Sequence, residues 1–164
     1  MKAQIISFTE LFSTCAEPCS QQRLQDIESN IGMTLPEDYR HIIHTTGGGK
    51  LAYEKRFFPA QLDAFGFPDG FALWGFFGNG SYTGTKNNLD EEGPYMALAW
   101  ELPEGVLPIA LVDGSASSFV ALNRNRTEFP PNSVLFVDAE IKDIVCLADD
   151  FESFISQLGK NPYV

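Results

Sequence analysis

Histidine is scarce in this chain. Only His41 and His44 occur among 164 residues, and histidine is the side chain that most often moves protons in catalysis. No serine–histidine–acid set, paired-carboxylate motif or metal constellation accompanies them, so the sequence predicts a protein that is not an enzyme and uses no cofactor. The two histidines lie three apart on a helical pattern, but no acidic third ligand stands at a suggestive spacing for a metal. Cysteine is nearly as rare. Cys15, Cys19 and Cys146 are odd in number and irregularly spaced, which argues against a secreted disulfide framework and for a reducing cytoplasm. Cys15 and Cys19 also lack the second cysteine pair or histidine pair that a zinc site needs. No apolar run approaches the roughly 20 residues of a membrane span. The opening MKAQIISFTELF predicts no export signal, and Asn79-Gly80-Ser81 and Asn125-Arg126-Thr127 read as chance sequons.

Positive charge is also in short supply. Eleven basic residues face 22 acidic ones for a net charge of −11, which makes nucleic acid and anionic membranes poor partners and a basic protein a good one. Between Phe57 and Asn123 there are eight acids against one base, Lys86, so the middle of the chain carries the field.

What is present is apolar and well punctuated. With 44% hydrophobic and 13% aromatic residues, the chain is expected to fold as a single domain, with a core over residues 20–158. A short helix is expected around Thr9 to Cys15. After the Cys15–Cys19 connector, Ser20 caps a helix with Leu24, Ile27 and Ile31 at helical spacing, stopped by Gly32. Pro36-Glu37-Asp38 opens another, with Tyr39, Ile42 and Ile43 on one face. Gly47-Gly48-Gly49-Lys50 ends that helix. It does not make a phosphate loop, which needs an earlier glycine, a following Ser or Thr and a helix beginning there.

From Leu51 to Gly80 the chain turns to aromatics broken by glycine and proline, which suits short strands, with Gly70–Gly78 as a strand bent at Gly75. Seven of the fourteen phenylalanines lie here. Most are expected in the core, but one of each adjacent pair, Phe57-Phe58 and Phe76-Phe77, should face outward. Gly78–Gly84 reads as a flexible loop, and its GNGSYTG does not match a nucleophile elbow. A helix follows from Asp90 toward Trp100. Strands are expected at Val106–Val112 and Ser118–Leu122, joined at Asp113-Gly114, then at Ser133–Asp138 and Ile144–Leu147. Asp149–Leu158 makes a closing amphipathic helix with an Asp149/Glu152 capping box, and the tail GKNPYV should fray. The order predicts an α+β fold: one mainly antiparallel sheet, with helices from both ends of the chain packed on it.

Three spaced patterns carry a family resemblance. They are Ile27-Glu28-x-x-Ile31-Gly32 leading to Leu35-Pro36-x-Asp38-Tyr39, then Leu102-Pro103-x-Gly105-x-Leu107-Pro108-Ile109-Ala110-x-x-Asp113-Gly114, and Ala148-Asp149-Asp150-Phe151-x-x-Phe154. In that order they resemble the SUKH superfamily, bacterial immunity proteins related to a fungal regulator of cell-wall assembly. The chain departs from the family's glycine-rich hairpin turn, carrying Gly114-Ser115-Ala116-Ser117-Ser118 instead.

The resemblance implies a non-catalytic domain whose surface groove binds another protein, in many relatives a toxin and often a nuclease. With the acidic middle of the chain it points to an immunity protein that covers the basic surface of a cognate toxin. Asp90, Glu91, Glu92, Glu101 and Glu104 would supply the charge, and an exposed Trp74 or Phe77 the apolar anchor. The alternative is an intracellular scaffold or regulatory domain using the same groove. A single acidic patch requires these five acids to share one face.

Overall fold

A computed structural model describes residues 8–163. The fold is α+β, as the sequence predicts. Helix α1 (Phe8–Leu11) runs directly into strand β1 (Phe12–Cys15), and helices α2 (Gln21–Ile31) and α3 (Glu37–Thr46) follow. The helix expected across residues 9–15 thus ends early. Phe12 is buried and Ser13 exposed, a two-residue alternation, and β1 pairs antiparallel with β2 (Gly49–Leu51), which satisfies its backbone. Ser20 caps α2 by accepting the Arg23 N–H at 3.1 Å, and α3 ends at Gly47.

The aromatic stretch folds as β3 (Phe57–Pro59), β4 (Gly70–Ala72) and β5 (Gly75–Phe76). The segment expected to be a flexible loop, Gly78–Gly84, supplies the first strand and turn of a small hairpin, β6 (Ser81–Tyr82) paired with β7 (Thr85–Lys86). Helix α4 (Leu89–Ala99) continues past Pro94 in its second turn. Strands β8 (Val106–Leu111), β9 (Ser118–Asn123), β10 (Val134–Asp138) and β11 (Asp143–Ala148) form an antiparallel sheet in the order β11-β10-β9-β8. Helix α5 (Phe151–Ser156) closes the core.

The β structure is not one continuous ladder. Separate pieces, β1-β2-β5, β3-β4 and β6-β7, accompany the four-stranded sheet. A bridge between Leu73 and Val112, and the Phe77 N–H donated to the Ile109 carbonyl at 2.8 Å, lay the β4–β5 segment along β8. Gly75 and the bends around it interrupt the pairing, so the sheet continues as fragments.

Burial follows the aromatics. Phe58 stacks on Phe154 at 4.6 Å and Tyr39 on Phe151 at 4.8 Å, joining β3, α3 and α5 in one core. The opposite face of the four-stranded sheet buries a smaller cluster of Val106, Ala121, Leu135 and Val137. Phe57 and Phe58 are both buried, against the expectation that one would face out. The cause is the tail, of which residues 159–163, expected to fray, lie against β3. Phe57 and Gly159 exchange backbone hydrogen bonds at 2.9 and 2.8 Å, Tyr163 packs its ring on Phe57, and its hydroxyl bonds to the Asp69 carboxylate.

Candidate functional site

The residues that carry the three sequence patterns hold the fold together. The Glu28 carboxylate accepts the Leu35 N–H at 2.7 Å and lies 3.2 Å from the Arg40 guanidinium, fixing the approach to α3. The Asp38 carboxylate accepts the Glu152 N–H at 2.9 Å, where it satisfies a backbone donor in the first turn of α5. Tyr39 is fully buried and donates its hydroxyl to the Phe77 carbonyl. In the altered hairpin turn, the Ser117 and Ser118 hydroxyls reach the buried Asp138 carboxylate at 3.3 and 2.8 Å. That carboxylate also accepts the Glu140 and Ile141 N–H groups, so the serines tie the β8–β9 turn to the β10–β11 turn. The cap on α5 is Asp150, which accepts the Ser153 N–H at 2.7 Å, in place of the expected Asp149/Glu152 box.

The five acids do not behave alike. Asp90, in the first turn of α4, is gripped by two Arg23 nitrogens at 2.8 Å each and by Asn30 at 2.8 Å, which pins α2 to α4. Its role is internal, and its charge is already matched. Burial works to raise the Asp90 pKa, but hydrogen bonds from Arg23 and Asn30 and the Arg23 charge outweigh it, so the pKa is lowered. A depressed carboxylate pKa adds stability above the unfolded value of about 4, and that stability is lost as pH falls through the folded value. Asp90→Asn is therefore expected to cost about 1–3 kcal/mol at neutral pH. Urea titrations of both proteins should show the gap narrowing below about pH 4.

Glu91 is exposed and Glu92 half-buried at the start of α4, whereas Glu101 and Glu104 are exposed beyond its end. The two pairs are separated by the length of the helix, about 16 Å at 1.5 Å per residue. They make two acidic ends rather than one patch. Between them α4 and the residue that ends it present apolar side chains to solvent: Tyr95 is 63% exposed, Leu98 81% and Trp100 39%. Glu91, Tyr95 and Leu98 stand at i, i+4 and i+7 and so share a stripe. The opposite side of α4 packs on β8 through Leu89 and Gly93, both buried. A side chain on Gly93 would start 2.9 Å from a Leu107 methyl, so the glycine sets how closely helix and sheet approach.

Trp74 and Phe77 lie elsewhere, on a cleft of about 390 Å³ between β5 and the β6–β7 hairpin, with Lys50, Tyr82, Lys86 and Leu111 around it. Trp74 is 48% exposed and Phe77 half-buried. Leu111 is the cross-strand partner of Phe119, against which Trp100 packs at 6.2 Å. Paired residues share a sheet face, so Leu111 carries the apolar surface from the cleft toward Trp100.

The sequence places this stretch on a helix, as observed, but does not single out Tyr95, Leu98 and Trp100, because the apolar run MALAW would also serve as a strand. The visible signal was the glycine at position 93, which marks the packed side of the helix. His44 Nδ1 lies 2.7 Å from the Cys19 carbonyl oxygen, joining the connector to α3. Among the described residues no group of three or more histidine, cysteine or acidic side chains is arranged to hold a metal. Burial pushes all three thiols up, away from the reactive thiolate.

Comparison of the sequence with curated proteins gives no match. Residues 18–157 match the SMI1 / KNR4 family (SUKH-1), a span that includes every pattern residue whose contacts are described above. The chain belongs to the SMI1 / KNR4 family (SUKH-1), whose members are in general non-catalytic immunity-type or regulatory domains.

Proposed function

We propose that this protein is a cytoplasmic immunity protein that neutralises a cognate toxin by docking α4 and the adjoining sheet face on the toxin's basic surface. The observation that carries this reading is the stripe of Tyr95 and Leu98 with neighbouring Trp100, exposed and bracketed by Glu91 and Glu92 at one end and Glu101 and Glu104 at the other. Protein interfaces concentrate their affinity in a few apolar anchors surrounded by a polar rim, and rim charges mainly speed and steer encounter. A net charge of −11 suits a partner that presents lysines and arginines, as a nuclease must in order to grip phosphates. Free thiols at Cys15, Cys19 and Cys146 agree with a reducing compartment.

The test is co-purification from the native host, followed by calorimetric titration of the purified pair. Leu98→Asp is expected to weaken the complex by about 30-fold or more, a loss typical of a hot-spot anchor, with the melting temperature unchanged. Glu91→Gln with Glu104→Gln should mainly slow association, and less so at high salt. A partner that binds this surface but has no toxicity would assign the protein to the regulatory branch instead. Full affinity in Leu98→Asp would remove α4 from the interface.

A further inference from the structure

The cleft beside β5 is opposite in sign to the chain as a whole. In a chain with twice as many acids as bases, none of its lining residues is acidic, and Lys50 and Lys86 both border it. Three of the other cations are ion-paired: Arg23 with Asp90, Arg40 with Glu28 and Arg126 with Glu128. Among the described residues neither Lys50 nor Lys86 meets a carboxylate within ion-pair distance. Lys50 instead leans over the Trp74 ring at 5.8 Å, and Arg56 lies over that ring at 5.0 Å. Asp113 lies beyond Trp74, in the smaller recess that Arg56 shares. The walls are apolar: Trp74, Phe77, Leu111 and the ring of Tyr82, whose hydroxyl reaches across to Gly75. Burial raises the Tyr82 pKa further from neutrality. The volume, about 390 Å³, falls in the range of roughly 300–1,000 Å³ typical of ligand sites.

We propose that this cleft is a second binding site, one that takes an acidic peptide segment of a protein partner. An aspartate or glutamate of the segment would sit between Lys50 and Lys86, with an adjacent apolar side chain against Trp74 and Leu111. The charge sign selects an anion, and the aromatic floor requires an apolar group beside it. A polyphosphate fits worse. No lining arginine offers the two-pronged contact that phosphate favours, and phosphate has no apolar group for the aromatic floor. The site is opposite in sign to the acidic ends of α4, so it does not rest on the toxin reading.

The test is an amide-resolved NMR titration of the full chain with three probes. These are a capped pentapeptide alternating glutamate with phenylalanine and leucine, the same peptide with glutamine for glutamate, and inorganic phosphate. Saturable shifts of the Gly75, Phe77, Tyr82 and Lys86 amides and of the Trp74 indole N–H are expected with the acidic peptide alone. Lys50→Glu with Lys86→Glu should weaken it by about tenfold or more. If the double variant fails to fold, Lys86→Glu alone serves, since Lys86 is exposed on the hairpin. Three results would overturn the proposal: equal binding of the glutamine peptide, the same shifts with phosphate, or no shifts at these positions.

Discussion

Gly47→Ala is expected to destabilise the fold by about 4 kcal/mol, measured as a shift in the urea unfolding midpoint at unchanged slope. Two terms add. The backbone at Gly47 has φ of 77°, in the left-handed region that L side chains rarely adopt. A methyl group there would also collide with the carbonyl oxygen of Glu17, whose segment crosses directly over the glycine. The Gly47 carbonyl faces Gly78 on the other side and accepts a hydrogen bond from the buried Asn87 side chain at 2.7 Å, so the backbone has no room to retreat. Gly114→Ala is the control. Its φ is also 77°, but open space surrounds it, so only the backbone term of about 1–2 kcal/mol should appear. The difference between the two variants isolates the close approach.

Tyr39→Ala should cost about 3–5 kcal/mol, the range for truncating a large buried aromatic. The ring is fully buried and stacked on Phe151. Tyr39→Phe keeps that packing and removes only the hydroxyl, leaving the Phe77 carbonyl without its donor, for about 1–2 kcal/mol. The milder variant tests a link from core to surface. Phe77 lines the basic cleft, so hydrogen exchange in Tyr39→Phe should quicken at Phe77 and Gly78 while the amides of β9 and β10 stay protected.

What could be read from the sequence was what local chemistry determines. Ser20, Gly32 and Gly47 bound α2 and α3, and Asp113-Gly114 joins the two strands it was expected to join. The rest depended on partners distant in sequence. Asp90 looked like a surface acid because Arg23, 67 residues earlier, cannot be foreseen beside it. The tail looked loose because its partner, Phe57, lies in an early strand that itself looked half-exposed. β1 is too short to declare its own period and is a strand only because β2 lies alongside. The cleft joins Lys50 of one strand to Lys86 of another, and no composition window contains both. The glycine run reads as a cap, which it is at Gly47, but its tight crossing beneath Glu17 is a tertiary fact.

The bond from Asp38 to Glu152 spans 114 residues. On a ribosome adding about 5–20 residues per second, the N-terminal helices wait roughly 6 to 23 seconds for the segment that completes them. Tyr39 must wait for Phe151 in the same way, its ring lacking its stacking partner until then. The nascent chain is thus born with its largest aromatic cluster unclosed, and the finished fold forms after the last helix leaves the exit tunnel.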